Sequence, residues 1–100
     1  MIHERYIEDR ADLNGEKVFL EFYAPRCSFC RAAEPLIERL SNEYSDIEFL
    51  KVNTDENPEA AELFGVRGLP TFVALSNENE LGRLIGARPE SAIRELIEKL

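Results

Sequence analysis

Two cysteines stand two residues apart in the stretch YAPRCSFCR, Tyr23 to Arg31, and the chain has no others. Three chemistries suit such a pair. A structural zinc site wants four ligands, and the chain adds one histidine, His3, far along the sequence and near a terminus. A metal would therefore have to be shared between two chains, and His3 reads as a solvated surface residue. A structural staple is weakly motivated. A loop closed across two residues removes little unfolded-state entropy, and at 44% hydrophobic residues the chain can build a core without one. The third chemistry is electron transfer, in which one thiolate attacks a substrate disulfide and the second thiol resolves the adduct.

The surrounding elements bear on that choice. Lys17–Ala24 (KVFLEFYA), Ile47–Asn53 and Thr71–Ser76 are near-continuous apolar runs, the pattern of central strands covered on both faces. Leu81–Ala87 is a weaker fourth strand, and the turn SNENE predicts a hairpin with Thr71–Ser76. Ala33, Leu36, Ile37, Leu40 and Tyr44 fall on one helical stripe after Cys30, and Ile93, Leu96, Ile97 and Leu100 on another. Pro89 and Ser91 mark the start of the last helix. A short helix is expected from Pro58 to Gly65, another over Tyr6–Leu13, and a short strand at Ile2–Arg5. The unit from Lys17 to Asn53 predicts parallel strands joined by a crossover helix. The expected fold is α/β: a single domain, 1–100, with a mixed sheet of four to five strands and helices on both faces.

Cys27 then lies where a strand ends and a helix begins. Free N–H groups and the partial positive charge of a helix start favour a thiolate there, and Arg26 and Arg31 add cationic charge. Cys27 is therefore the expected nucleophile and Cys30, one turn on, the resolving thiol. Glu21 and Lys51 interrupt apolar strands, and on adjacent strands they would partly neutralise each other. Burial would raise the carboxyl pKa and the lysine would oppose that rise.

LEFYAPRCSFC resembles the active-site strand and loop of the thioredoxin family, which commonly ends in WCGPC or WCGHC. Pro35 matches the proline of the family's active-site helix. LKVNTDENPEAAELFGVRGLPTFV is similar to its next strand, helix and cis-proline loop, and LGRLIGA to its last strand, over about Asn14–Leu100 in all. The resemblance implies a thioredoxin fold and a cis bond before Pro70. It implies a substrate-facing surface at Gly68, Leu69 and Gly86, with the Leu69 backbone pairing with an extended substrate. It also implies that Glu21 takes the proton of Cys30, through water, with Lys51 as its partner. The function implied is dithiol–disulfide exchange on protein disulfides, most readily their reduction. An oxidase or isomerase is the alternative, and a metal-binding module or non-catalytic scaffold a further one.

The sequence departs from the family pattern at three places. There is no tryptophan, and Arg26 occupies the position before the first cysteine. Ser28 and Phe29 stand between the cysteines, where potentials of such pairs span about 150 mV across known proteins. Arg26, by stabilising the thiolate, should make the disulfide more oxidising. Phe29, with Leu69 and Val66, is expected to supply the missing apolar contact surface, or else to serve as a core aromatic of its helix.

The net charge of −8 argues against a phosphate-binding face for nucleic acid and against an anionic membrane surface. No segment approaches the roughly 20 apolar residues of a membrane span, and the first residues carry no secretory pattern. The expectation is a cytoplasmic monomer with no bound cofactor. Its partners are disulfide-containing proteins and an electron donor of the thioredoxin-reductase type.

Overall fold

The computed structural model describes residues 1–100. Five strands form one sheet in the order β1-β3-β2-β4-β5: β1 Ile2–Glu4, β2 Val18–Tyr23, β3 Glu48–Asn53, β4 Thr71–Ser76 and β5 Asn79–Ile85. The three strands on one side, β1, β3 and β2, are parallel. β4 runs antiparallel to β2, and β5 antiparallel to β4. Helix α1 Ser28–Glu43 joins β2 to β3, α2 Pro58–Leu63 joins β3 to β4, and α3 Glu90–Ile97 follows β5.

Alternation along the central strands divides the core in two. Val18, Leu20 and Phe22 of β2 join Leu50, Val52, Val73 and Leu75 beneath α2 and the segment before β2. Phe19 points the other way. It packs with Phe49 at 5.1 Å and Phe72 at 5.7 Å between ring centres, under Ile37 and Leu40 of α1 and Ile93, Leu96 and Ile97 of α3. Glu21, two residues after Phe19, shares its face. That places the only charged residue of the fully covered strand on the side of the helix that carries the cysteines.

Several boundaries differ from the sequence expectation. Tyr6–Leu13 is not an α-helix; only Arg10–Leu13 forms a single 3-10 turn. The Asp12 carboxylate accepts the Glu8 and Asp9 N–H groups at 2.8 and 3.2 Å, and Asp9 accepts that of Ala11. These local bonds satisfy the backbone in place of a helix. β5 begins at Asn79, because Asn77 and Glu78 alone make the turn, both at positive φ (51° and 73°). Such a two-residue turn matches the twist of a hairpin. α2 ends at Leu63, with Gly65 at φ 64° beyond it, and α3 ends three residues short of Leu100.

Asn57 fastens the N-terminal segment. Its carboxamide accepts from the Ile7 N–H at 2.8 Å and donates to the Ile7 carbonyl at 3.1 Å, and both residues are buried. Asn57→Ala leaves two buried backbone groups without partners. It is expected to lower the unfolding free energy by about 2 kcal/mol, read as a fall in urea midpoint at unchanged slope.

Candidate functional site

β2 delivers the chain to the cysteines at the edge of the sheet where α1 starts. Cys27 is the residue before the first helical one, with extended backbone, and its Sγ accepts the Cys30 N–H at 3.2 Å. The two cysteines are joined as a disulfide, with Cα atoms 5.2 Å apart. Cys30 is 4% exposed and Cys27 is half-buried, so only Cys27 offers its sulfur to an incoming group. No acidic residue lies in the first turn of α1. The helix start and the Cys30 N–H are therefore free to stabilise a Cys27 thiolate once the pair is reduced.

Behind Cys30 lies a cavity of about 170 Å³, walled by Glu21, Tyr23, Ala24, Pro25, Cys30, Arg31, Glu34 and Lys51. It brings Glu21 and Cys30 to one space large enough for water. Burial pushes the Glu21 carboxyl up to about 7; the Lys51 charge opposes the shift and the Glu34 carboxylate adds to it. Glu21 and Lys51 are direct partners in the β2–β3 register. Lys51 nevertheless forms its ion pair with Glu34, at 4.0 Å, and lies over the Tyr23 ring. It acts on Glu21 through space rather than by contact.

The opposite wall of the disulfide is the loop before β4. The Leu69–Pro70 bond is cis, and Pro70 is buried. Thr71 Oγ1 donates to the Gly68 carbonyl at 2.6 Å, and the Gly86 N–H to the Pro70 carbonyl at 2.7 Å. Gly86 holds φ 85°, a conformation that disfavours any side chain. A Cβ on Gly68 would lie 3.0 Å from Ile85 Cγ2. The backbone N–H and C=O of Leu69, outside any strand, make no hydrogen bond within the protein. Phe29 is 61% exposed, so it is no core aromatic. It borders a groove of about 190 Å³ with Ala33, Leu36, Pro70, Gly86 and Arg88. Val66 and Leu69 pack inward against the other core instead of beside it.

Arg26 pairs with Asp55 at 3.2 Å. The Asp55 carboxylate partly compensates the charge that Arg26 brings next to Cys27. Arg31 donates to the Pro25 carbonyl at 2.7 Å. His3 is exposed and belongs to no site. Glu34 and Tyr23 were not singled out from the sequence. Glu34 stands four residues after Cys30, hence on the same helix face, and that spacing was the available signal. No group of three or more His, Cys, Asp or Glu side chains could hold a metal ion, and no helix is long and apolar enough to cross a membrane.

The family model for thioredoxin matches residues 3–99. Thioredoxin 1 of Synechococcus elongatus is 34% identical over 83 residues, covering 82% of this chain and 78% of its own. A thioredoxin crystal structure from Nicotiana alata superposes with a TM-score of 0.87 at 28% identity, over 98% of this chain and 90% of that one. The oxidised mitochondrial thioredoxin 3 of Saccharomyces cerevisiae does so with a TM-score of 0.84 at 32% identity, over 90% and 86%. With its cysteine pair joined at a helix start beside a cis-proline loop, the chain belongs to the thioredoxin family and is a thiol–disulfide oxidoreductase.

Proposed function

We propose that this oxidoreductase works as a monomeric reductant of protein disulfides in a reducing compartment such as the cytoplasm, supplied with electrons by a thioredoxin-reductase-type donor. The Cys27 thiolate attacks one sulfur of the substrate disulfide. A Cys27–substrate disulfide forms and the first substrate thiolate leaves, taking a proton from solvent. Glu21 accepts the Cys30 proton through water in the shared cavity, and Lys51 tunes that carboxylate. The Cys30 thiolate then attacks Cys27 Sγ, which restores the Cys27–Cys30 disulfide and expels the second substrate thiolate. The net change is two electrons and two protons passed to the substrate, and the donor returns them. No bound cofactor enters any step. The substrate lies as an added strand against the free Leu69 backbone, across Gly68, Pro70 and Gly86, with apolar side chains on Phe29 and Arg26 at the rim.

The observation that carries the reductive direction is the buried Glu21 carboxyl on the cavity of Cys30. Once ionised, it disfavours a neighbouring thiolate and so favours the disulfide form of the enzyme, which makes the dithiol a stronger reductant. The pairing of Arg26 with Asp55 works in the same sense. The helix start beneath Cys27 favours the opposite direction, that of an oxidase or isomerase, and the reduction potential decides between them.

Cys30→Ser tests the order of steps. This variant is expected to stop after the first attack and accumulate a covalent Cys27–substrate adduct, visible by mass spectrometry and reversed by dithiothreitol. Turnover by this variant at the wild-type rate would remove Cys30 from the resolving role.

A further inference from the structure

The chain is acidic as a whole, but its unpaired cations are not spread evenly. Most of its lysines and arginines are held by carboxylates within 4.0 Å, and Arg10 lies over the Phe64 ring. Arg31, Arg67, Arg88 and Lys99 make no ion pair and no contact with an aromatic face. Three of these four surround the disulfide. Arg31 follows Cys30 and walls its cavity. Arg67 stands three residues before Pro70, in the loop that offers the Leu69 backbone. Arg88 borders the groove between Phe29, Pro70 and Gly86. All three are exposed. Of the carboxylates around them, Asp55, Glu34 and Glu90 are engaged with Arg26, Lys51, and Arg39 and Arg94 respectively, and Glu21 is buried.

We infer that this collar selects substrates: the preferred partner is an extended protein segment whose disulfide is flanked by Asp or Glu. The inference rests on the oxidoreductase reading above and adds the substrate class. Charges at the rim of an interface act mainly on encounter and on rejection of wrong partners. A protein of net charge −8 would repel acidic segments everywhere else, so the collar also orients the approach. Acidic side chains flanking the reacting cysteine would meet Arg31, Arg67 and Arg88 at the rim, while the backbone lies along Leu69. The apolar groove then takes the side chain between them.

The test uses three model peptides with one disulfide each and identical sequence except for acidic, neutral or basic residues beside the cysteines. Reduction is followed under turnover with dithiothreitol as electron donor. At low ionic strength the acidic peptide should show kcat/KM about tenfold above the basic one, the size that a few exposed charge pairs allow. The preference should vanish at roughly 1 M salt, where the screening length is about 3 Å. The double variant Arg67→Glu/Arg88→Glu should invert the ratio, and Arg67→Lys/Arg88→Lys should retain it. Lys17→Glu/Lys99→Glu makes the same change of net charge at the far end of the sheet and should leave the ratio as in wild type. Taking the ratio within each protein cancels any general loss of activity. Equal kcat/KM for the three peptides, or an equal response to the near and far double variants, overturns the collar while leaving the oxidoreductase standing. Failure to reduce even the neutral peptide overturns both.

Discussion

Cys27→Ser is expected to abolish protein disulfide reduction, with a loss of at least about a thousandfold, because a hydroxyl cannot replace a thiolate nucleophile at neutral pH. The asymmetry of the pair makes the expectation specific. Cys30 is buried behind Cys27, against the cavity of Glu21, so its sulfur cannot take over the first attack on a folded substrate. Cys27→Ser should therefore form no covalent adduct, whereas Cys30→Ser should form one that persists. The double variant should be no worse than Cys27→Ser, since the two thiols act in one sequence of steps. Single-turnover assays with an oxidised protein substrate, combined with adduct mass, separate these cases. Substantial reduction by Cys27→Ser would mean that Cys30 is the attacking residue and that the exposure of the two sulfurs misleads.

The second large effect concerns Glu21. In the folded chain burial holds its carboxyl up at about 7, above the ordinary 4.5. Between those values the unfolded chain has released the proton and the folded chain has kept it. The contribution of this one carboxyl to folding is therefore least favourable at high pH: it is fully present below about 4.5, falls as pH rises, and is lost above about 7. At about 1.4 kcal/mol per pKa unit that contribution is on the order of 3 kcal/mol. Glu21→Gln keeps the shape and removes the ionisation. The variant should be more stable than wild type by about 2–3 kcal/mol at pH 8 and should converge with it near pH 4, as read from urea midpoints across that range. The same change should slow resolution of the mixed disulfide roughly a hundredfold above pH 7, at the low end for loss of a general base. It should also erase an inflection near pH 7 from the rate profile. Stability gained at the expense of rate is the signature of a residue kept for its chemistry. If stability rises and the rate profile stays put, the carboxylate is a buried structural group and the proton leaves Cys30 by another route.

The strands were legible because they are covered on both faces, so Val18–Phe22 and Thr71–Leu75 read as apolar runs with no alternation. Glu21 was visible for the same reason, as the one charge inside Val18–Phe22. Its address on the α1 face follows from its even spacing from Phe19. Tyr6–Leu13 was misread because two aspartates spend their oxygens on nearby N–H groups, a local competition that helical periodicity does not register. The cis bond before Pro70 came only from family likeness. The electrostatics around the cysteines were the least legible part. Arg26 is next to Cys27 in sequence, but its partner Asp55 arrives from beyond β3. Lys51 matches Glu21 in register, but Glu34 reaches it from α1. Both pairings depend on how a helix and a loop settle over the strand ends, and no spacing within one element encodes that.

The measurement that bears most directly on a reductive oxidoreductase is the reduction potential of the Cys27–Cys30 pair, taken by equilibration against defined dithiothreitol and glutathione buffers. A value near the roughly −270 mV of thioredoxin is the predicted result. A value of roughly −180 mV or higher, in the range of disulfide isomerases and oxidants, would contradict it and assign the pair to making disulfides rather than breaking them.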